Sequence, residues 1–176
     1  MQRGKPKRVA IALEVQWGYK RHLETYAGCQ RYADEAGWDC SITPTTTRLL
    51  TMHKGKPSFD GILARATPAL ASTAKRMKVP LVNLWLNSPA QNLPGVFADF
   101  ESSGSMAAEH LIGRGFKRFG YLGFLRDKDA GLQLTGFQNR LKTEGFRCAV
   151  HRFSRASVTE KARGWKTFID ELEEWV

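Results

Sequence analysis

Long apolar runs and cysteine motifs are scarce in this sequence, and each shortage excludes a class of protein. No apolar run approaches the roughly 20 residues that a membrane helix needs. Cys29, Cys40 and Cys148 are widely spaced and form no C-x-x-C pair, which fits reduced thiols in a core better than a disulfide or zinc framework. The apolar stretch at 9–13 is too short for a secretory signal, and no small-residue cleavage site follows it. We therefore predict a soluble cytoplasmic protein with no membrane partner.

Acidic residues are also few: 17 Asp and Glu stand against 27 Lys and Arg, for a net charge of +10. A surplus of this sign suggests a nucleic-acid partner, because Lys and Arg contacts with phosphate dominate such affinity. The basic residues, however, form small separate groups where helix ends and turns are expected. Two interpretations stay open: a solvated surface, or a field that assists a DNA-associated partner or neighbouring domain.

Signatures of catalysis are missing as well. The sequence has no G-x-x-x-x-G-K-[ST] loop, no G-x-S-x-G elbow and no H-E-x-x-H, and the segment 113–115 lacks the third glycine of a dinucleotide fingerprint. The four histidines stand apart from obvious metal partners, and His110 lies among apolar residues as a packed or surface histidine does. We predict a protein that is not an enzyme and needs no cofactor and no metal.

Short apolar runs alternate with helical stretches, which predicts an α/β fold with parallel strands joined by crossover helices. We expect the first strand to be central in a doubly wound sheet of order 2-1-3-4-5, with helices on both faces. Residues 44–57 are predicted to be irregular and 87–95 to form a surface loop. The predicted strands of this half are 8–14, 38–43, 60–64, 79–84 and 96–98, and the predicted helices are 19–36 and 68–78.

The pattern continues after Asp99 with helices around Ala108 and Phe137 and strands at 117–123 and 148–153. An S-x-x-E capping box at 157–160 opens a last helix. That helix carries an apolar stripe that reaches the final residue and needs a sheet to pack on, whereas only two strands precede it after Asp99. We therefore expect an incomplete second sheet whose free edge and apolar surface cause self-association. The stripe consists of Trp165, Phe168, Ile169, Leu172 and Val176.

The candidate ligand site lies at the carboxyl ends of the predicted strands, where open parallel sheets bind ligands. The eight residues that follow the first strand hold a carboxylate, an amide, aromatic rings and a guanidinium. These groups can hydrogen-bond hydroxyls and stack on the apolar face of a sugar ring. An ordinary loop before a helix explains the same residues without a ligand. The candidates are Glu14, Gln16, Trp17, Tyr19 and Arg21.

Two further charges end predicted apolar strands, namely Arg65 and Asp99. A charge in this position can bind a ligand, cap a helix or remain solvated. Because Glu14, Arg65 and Asp99 end three neighbouring strands, we interpret them as walls of one cleft. Arg21 and Asp99 are predicted to hydrogen-bond hydroxyls there, and one of the two aromatic rings is predicted to stack.

Several segments share the order and spacing of a known family: 60–65, 79–82, 96–99, 107–112, 115–123 and Gly136-Phe137. Together they resemble the effector-binding core of LacI/GalR-type sugar repressors, over nearly the whole chain from 8 to 176. Gly-Phe-Lys-Arg-Phe at 115–119, with Glu14 and Tyr19-Lys20-Arg21, is more similar to xylose-operon regulators. Those regulators carry the sensor first and an AraC-type helix-turn-helix last.

The resemblance implies a periplasmic-binding-protein-like fold with lobe one at 8–98 and an incomplete, truncated lobe two at 99–176. It also implies a sugar effector, a homodimer in the full-length form, and DNA contact through a domain absent from this chain. A transport-associated periplasmic sugar-binding protein has the same fold and is the alternative, but it needs export.

The resemblance adds one candidate, Gln133, to the site. LacI-type sensors commonly have a sugar-contacting arginine three residues before the Gly-Phe that corresponds to Gly136-Phe137. Glutamine hydrogen-bonds a hydroxyl but lacks the rigid guanidinium fork, so xylose itself is not carried over.

Overall fold

The computed structural model describes residues 5–13, 20–43, 52–53, 56–154 and 162–175. The chain divides into two compact units, Met1–Phe97 and Ala98–Val176, called here the first and second unit. No helix among the described residues is long and apolar enough to cross a bilayer.

The first unit contains a four-stranded parallel sheet with the first strand in its interior. Its elements are β1 (Arg8–Ala12), α1 (Lys20–Ala36), β2 (Asp39–Ile42), β3 (Met52–His53), β4 (Lys56–Pro57), β5 (Gly61–Ala64), α2 (Pro68–Arg76) and β6 (Leu81–Asn83). The strand order is β2-β1-β5-β6, and Val9 lies opposite both Cys40 and Gly61. The prediction that the first strand lies inside the sheet between parallel neighbours is confirmed. The observed order also matches the first four strands of the predicted order 2-1-3-4-5.

Helices cover both faces of this sheet. Ala10 and Ile62 point to one face, where they pack in a buried cluster with Leu70 of α2. Successive side chains of a strand point to opposite faces. Val9 and Leu63 accordingly face α1 across a cavity of about 370 Å³.

The prediction of a fifth strand at 96–98 is wrong for the described residues. A single bridge joins Asn83 to Gly95, with the Val96 amide donating to the Asn83 carbonyl at 3.0 Å. A side chain on Gly95 would overlap the Phe97 ring, so that ring lies against the Gly95 backbone. The apolar residues at 96 and 97 remain exposed instead of extending the sheet.

The region 44–57, predicted to be irregular, includes a two-residue antiparallel pair. Met52 lies opposite Pro57 and His53 opposite Lys56. Strands of two residues are too short to produce an alternating pattern that sequence reasoning can detect.

The predicted end of α1 is confirmed, and its apolar residues are only partly buried. Gly37 follows the helix with a φ of +66°, a conformation that glycine adopts without strain. Ala33 is buried, but Leu23 is 57% exposed and Ala27 is also exposed. Part of the apolar stripe of α1 is therefore exposed to solvent.

Among its described residues, the second unit pairs two parallel strands with three helices. Its elements are α3 (Phe100–Gly113), β7 (Phe119–Phe124), α4 (Lys128–Thr143), β8 (Cys148–Phe153) and α5 (Ala162–Trp175). Phe119 lies opposite Cys148, and the pairing continues to Phe124 and Phe153. The helices and strands predicted after Asp99 are all present, while the capping box at 157–160 lies outside the described residues.

Each face of this two-stranded sheet packs against helices. Phe119 joins Phe137 and Leu141 of α4 in one buried cluster. On the other face, Phe168 of α5 is buried, and its ring centre lies 4.8 Å from that of Phe153. Trp165, predicted to share the buried stripe, is 54% exposed.

Helices α3 and α4 cross in direct backbone contact. A Cβ atom on Gly104 would overlap the Gln133 carbonyl oxygen, and one on Gly136 would overlap the Glu101 carbonyl oxygen. Each helix therefore supplies a glycine at the point where the backbone of the other passes. This gives Gly136, a residue of the sequence resemblance, a packing role.

Candidate functional site

The topological switch point of the first unit lies between β1 and β5. From β1 the chain moves to β2 on one side, and later to β5 on the other. Open parallel sheets bind ligands outside the carboxyl ends of the strands at such a point. The segments that leave these ends begin at Leu13 and at Arg65, so both belong to the candidate site.

Arg65 is half-buried directly after β5. Its guanidinium carbon lies over the indole of Trp85, 4.6 Å from the ring centre. A cation within about 6 Å of an aromatic face is attracted by the electrons of the ring. The structure thus brings Arg65 together with an aromatic residue that the sequence analysis did not single out.

Asn83 fixes the segment that carries Trp85. It is 5% exposed, and its Oδ1 accepts hydrogen bonds from the Ala66 amide at 3.2 Å and the Trp85 amide at 3.0 Å. Its Nδ2 donates to the Trp85 carbonyl at 2.9 Å. One side chain therefore ties the segment after β5 to the segment after β6.

Ser88 makes a second tie between the same segments. It is 5% exposed, and its hydroxyl donates to the Ala66 carbonyl at 2.6 Å and accepts from the Ala90 amide at 3.1 Å. Buried polar groups are normally satisfied in this way. We call Asn83 and Ser88 together the polar clasp.

Asp99 occupies a helix cap in the second unit. Its Oδ1 accepts from the Ser102 amide at 2.9 Å and its Oδ2 accepts from the Ser102 hydroxyl at 2.7 Å. These two hydrogen bonds, the amide contact first, hold the pKa of Asp99 below its ordinary value. The cap is one of the roles that the sequence left open for this charge.

Asp99 also lines an open groove of about 410 Å³ along α3 and α4. Arg140 lines this groove and pairs with Glu144, four residues further along the chain, at 2.6 Å; that hydrogen bond raises the pKa of the arginine. The groove is lined by Asp99, Glu101, Ser102, Ser105, Gly136, Asn139, Arg140 and Thr143.

The remaining predicted site residues are placed only in part. Gln133 is half-buried within α4, with its backbone carbonyl against Gly104. Arg21 lies in the first turn of α1, and its side chain is outside the described residues. Glu14, Gln16, Trp17 and Tyr19 lie outside the described residues entirely.

The three cysteines are unpaired and partly exposed, so the prediction that they are buried in a core is too strong. Cys29 and Cys40 line the cavity between α1 and the sheet. Burial is the main cause that raises the pKa of each thiol, including that of Cys148. A raised pKa leaves little reactive thiolate at neutral pH.

The fold is an α/β fold of the periplasmic-binding-protein type, and solved structures of regulators share it. The transcription regulator CcpA of Lactococcus lactis matches with a TM-score of 0.60 and 16% identity, over 97% of this chain and 65% of that one. A LacI family transcriptional regulator from Enterococcus faecium, with bound ribose, matches at 0.58 and 14%, over 96% and 63%. A periplasmic binding protein/LacI transcriptional regulator from Alkaliphilus metalliredigens, complexed with D-xylulofuranose, matches at 0.59 and 15%, over 93% and 64%.

These neighbours are described as transcription regulators rather than enzymes. The chain spans 65% of the length of CcpA and similar shares of the other two. No protein-family profile and no curated protein sequence matches the chain.

Proposed function

We propose that this chain is the effector-binding part of a bacterial transcription regulator that responds to a sugar. The observation that carries the proposal is the pair formed by Arg65 and Trp85, held beside the switch point of a sheet with the periplasmic-binding-protein fold. Two regulators of the same fold carry a bound pentose, ribose or xylulofuranose, which supports a sugar as the class of effector.

The proposed mechanism is a shift between open and closed arrangements of two lobes. A sugar that binds the closed form more tightly than the open form shifts the population toward closure. Closure then changes the pose of the DNA-binding domain of the full regulator, within a cytoplasmic homodimer. In this proposal Glu14, Gln16, Gln133 and the two aromatic residues at 17 and 19 complete the pocket, and Arg21 and Asp99 hydrogen-bond hydroxyls.

The finer proposal is that the regulator belongs with the xylose-operon type, with an AraC-type domain as its DNA reader. It is supported by the segment at 115–119 and by the residues around Tyr19. Because Gln133 stands where LacI-type sensors commonly have a sugar-contacting arginine, the proposal does not name the sugar.

A sugar titration followed by NMR tests the proposal. The amide signals of Arg65 and Trp85 should shift with pentoses or hexoses at millimolar concentrations, because a pocket that is not enclosed on all sides binds weakly. Arg21→Ala should weaken binding at least about tenfold, the loss expected for one charge-assisted hydrogen bond. Arg31→Ala, an exposed arginine of the same helix, is the matched control and should bind as the parent does.

Two outcomes would contradict the proposal. Absence of any sugar-induced shift at the solubility limit of the sugars would remove sugar as the effector class. Recovery of the native protein from the periplasm in cell fractionation would favour the transport-associated alternative, since a regulator must remain with the DNA.

A further inference from the structure

We propose that the cavity between α1 and the sheet of the first unit binds a small, neutral aromatic molecule. This site goes beyond the proposed function, because it uses none of the residues of the sugar site. Val9 and Cys40, which line the cavity, are the second residues of β1 and β2. The candidate sugar site follows the carboxyl ends of the strands, so the cavity begins at the opposite end of the sheet.

The cavity exists because α1 presents small residues to the sheet. Gly28, Cys29 and Ala33 are its contributions from the middle and last part of the helix. A Cβ atom on Gly28 would have no neighbour within 4 Å, and Ala33 is the one buried residue among the described side chains of α1. Protein interiors contain few voids larger than a water molecule. A volume of about 370 Å³ is instead in the range of ligand pockets.

The walls favour an apolar occupant over water. Val9, Ala33 and Leu63 are apolar, and the unpaired thiols of Cys29 and Cys40 are weak hydrogen-bonding groups. A water molecule in a cavity needs about two to four polar partners, which these five residues do not supply. An apolar cavity of about 150 Å³ binds benzene. The larger volume here therefore suits a molecule with two fused rings.

Two aromatic residues in one wall make the preferred occupant aromatic. The rings of Tyr32 and Trp38 line the cavity and meet edge to face, with their centres 5.4 Å apart and an angle of 88° between their planes. Tyr32 is 58% exposed and Trp38 is 39% exposed, so a further ring can pack on them and cover apolar surface. The sulfur atoms of Cys29 and Cys40 are polarizable and add favourable contacts with a ring.

The charges at the cavity favour a neutral ligand over an anion. Among the described residues, the lining includes one carboxylate, that of Glu24, and no basic group. Burial is the main cause that raises the pKa of Cys40, and the negative charge of Asp39 contributes to the same shift. The neighbouring basic residues Lys7 and Arg31 are exposed and do not line the cavity. An anion would find no partner inside, whereas a neutral ring with one hydroxyl can donate to Glu24.

Protection of thiols tests the proposal on the chain as it stands, with 2-naphthol as the probe. The chain has three cysteines, all partly exposed; Cys29 and Cys40 line the cavity, and Cys148 of the second unit does not. At about ten times its dissociation constant, 2-naphthol should slow alkylation of Cys29 and Cys40 by iodoacetamide about tenfold, because only the unoccupied cavity exposes them. The rate at Cys148 should stay unchanged. Mass spectrometry of the alkylated peptides measures the three rates separately.

Matched ligands separate the aromatic requirement from the charge requirement. Decahydro-2-naphthol has the same carbon skeleton and hydroxyl without the aromatic rings, and it should bind more weakly than 2-naphthol. 2-Naphthoate keeps the rings but carries a carboxylate, and it should bind at least about tenfold more weakly, because burial disfavours an unpaired charge. Isothermal titration calorimetry gives the three affinities.

A pair of glycine variants assigns the binding to this cavity. Gly28→Leu fills the open space and should weaken the binding of 2-naphthol at least about tenfold. Gly131→Leu also changes a helical glycine with open space around its Cβ position, but it lies in α4 and should bind as the parent does. If Gly28→Leu perturbs the amide spectrum of the fold, Cys40→Leu fills the cavity from the sheet and decides, with protection of Cys29 as its readout.

Each contrary outcome overturns the proposal on a different point. Equal protection of Cys148 would show an effect on the whole chain, and parent-like binding by Gly28→Leu would place the ligand elsewhere. Equal affinity for either matched ligand would remove the neutral aromatic class. Protection of Cys29 and Cys40 that rises with protein concentration in the absence of 2-naphthol would show that a second copy of the chain covers the cavity. Because no sugar enters these measurements, each of these results leaves the proposed function standing.

Discussion

The carboxylate of Asp99 caps helix α3, and its titration makes the stability of the protein depend on pH. Because hydrogen bonds lower its folded pKa below the ordinary value of 3.8, the ionised form stabilises the folded state. That contribution is fully present above 3.8 and is lost as the pH falls through the lower folded pKa. The pH dependence of stability thus measures the capping role of Asp99 separately from any role in ligand binding.

We predict that Asp99→Asn keeps most of the stability at neutral pH, because asparagine caps helices well, whereas Asp99→Ala lowers the melting temperature. Between neutral pH and values below 3.8, the parent should lose more stability than either variant. Thermal melts across this pH range provide the measurement. Identical acid responses in parent and Asp99→Asn would show that the cap does not depend on ionisation.

A second prediction concerns the polar clasp. Asn83→Ala leaves the Ala66 and Trp85 amides and the Trp85 carbonyl without their partner, and an unsatisfied buried group costs about 1 to 3 kcal/mol. We expect a loss of about 2 to 4 kcal/mol in the free energy of unfolding, measured by urea denaturation. Gln91→Ala, an exposed amide in the same loop, should stay within about 0.5 kcal/mol of the parent.

The sequence marked Arg65 but not the groups that support it. A charge at the end of an apolar run is visible as a break in the pattern, whereas Trp85 follows the predicted strand 79–84 as one more apolar residue and makes no such break. Asn83 interrupts the apolar run 79–84, and that interruption is the signal that could have identified it. Its partners depend on how two loops meet, which local sequence does not specify.

The crossing of α3 and α4 leads to a prediction about glycine. Gly136→Ala places a methyl group against the backbone of α3, which cannot rotate away as a side chain does. We expect a loss of at least about 2 kcal/mol, in the upper part of the range for overpacking. Gly131→Ala lies in the same helix with open space around its Cβ position, and it should stabilise the protein by about 0.5 to 1 kcal/mol.

Opposite signs for the two glycine substitutions, measured in the same denaturation assay, are the expected result. If both variants were stabilised, the helices would not cross in backbone contact. Gly104→Ala gives an independent check from the other helix, since it meets the Gln133 carbonyl.

Periodicity predicted the helices and the parallel strands well, because burial of an apolar face dominates their local sequence. Leu134, Phe137 and Leu141 mark α4 in the sequence, and all three are buried. The fifth strand was wrong because an apolar triplet is also compatible with an exposed connecting segment, and Val96 and Phe97 remain exposed after the single bridge at Gly95. Backbone contact between helices leaves no apolar signal, so that packing could not be foreseen.

The second unit presents a strand edge that is unpaired among the residues the structure describes. Among the described residues, β7 pairs with β8 alone, and Leu122 on β7 is 40% exposed. Edges of this kind pair with other chains unless charge or a cover prevents it. The chain is therefore expected to self-associate as its concentration rises.

We predict that Leu122→Lys increases the monomeric fraction in sedimentation velocity experiments, because an edge lysine opposes strand pairing. Leu132→Lys introduces the same charge on α4 at a similar exposure of 39% and should leave the association unchanged. A parent chain that remains monomeric at all concentrations would contradict the prediction, as would an equal effect of the two lysines.

The polar clasp also affects how the protein fluctuates. The amides of Ala66, Trp85 and Ala90 belong to no helix or strand, yet each donates to a side-chain oxygen of Asn83 or Ser88. Amide protons held in this way exchange with solvent only when the structure that holds them opens. Deuterium exchange at these three amides should therefore be slow and closely matched in rate, so that one opening event releases the segments after β5 and β6 together. The two segments that carry Arg65 and Trp85 would then open and close together, at the rate of that single opening event.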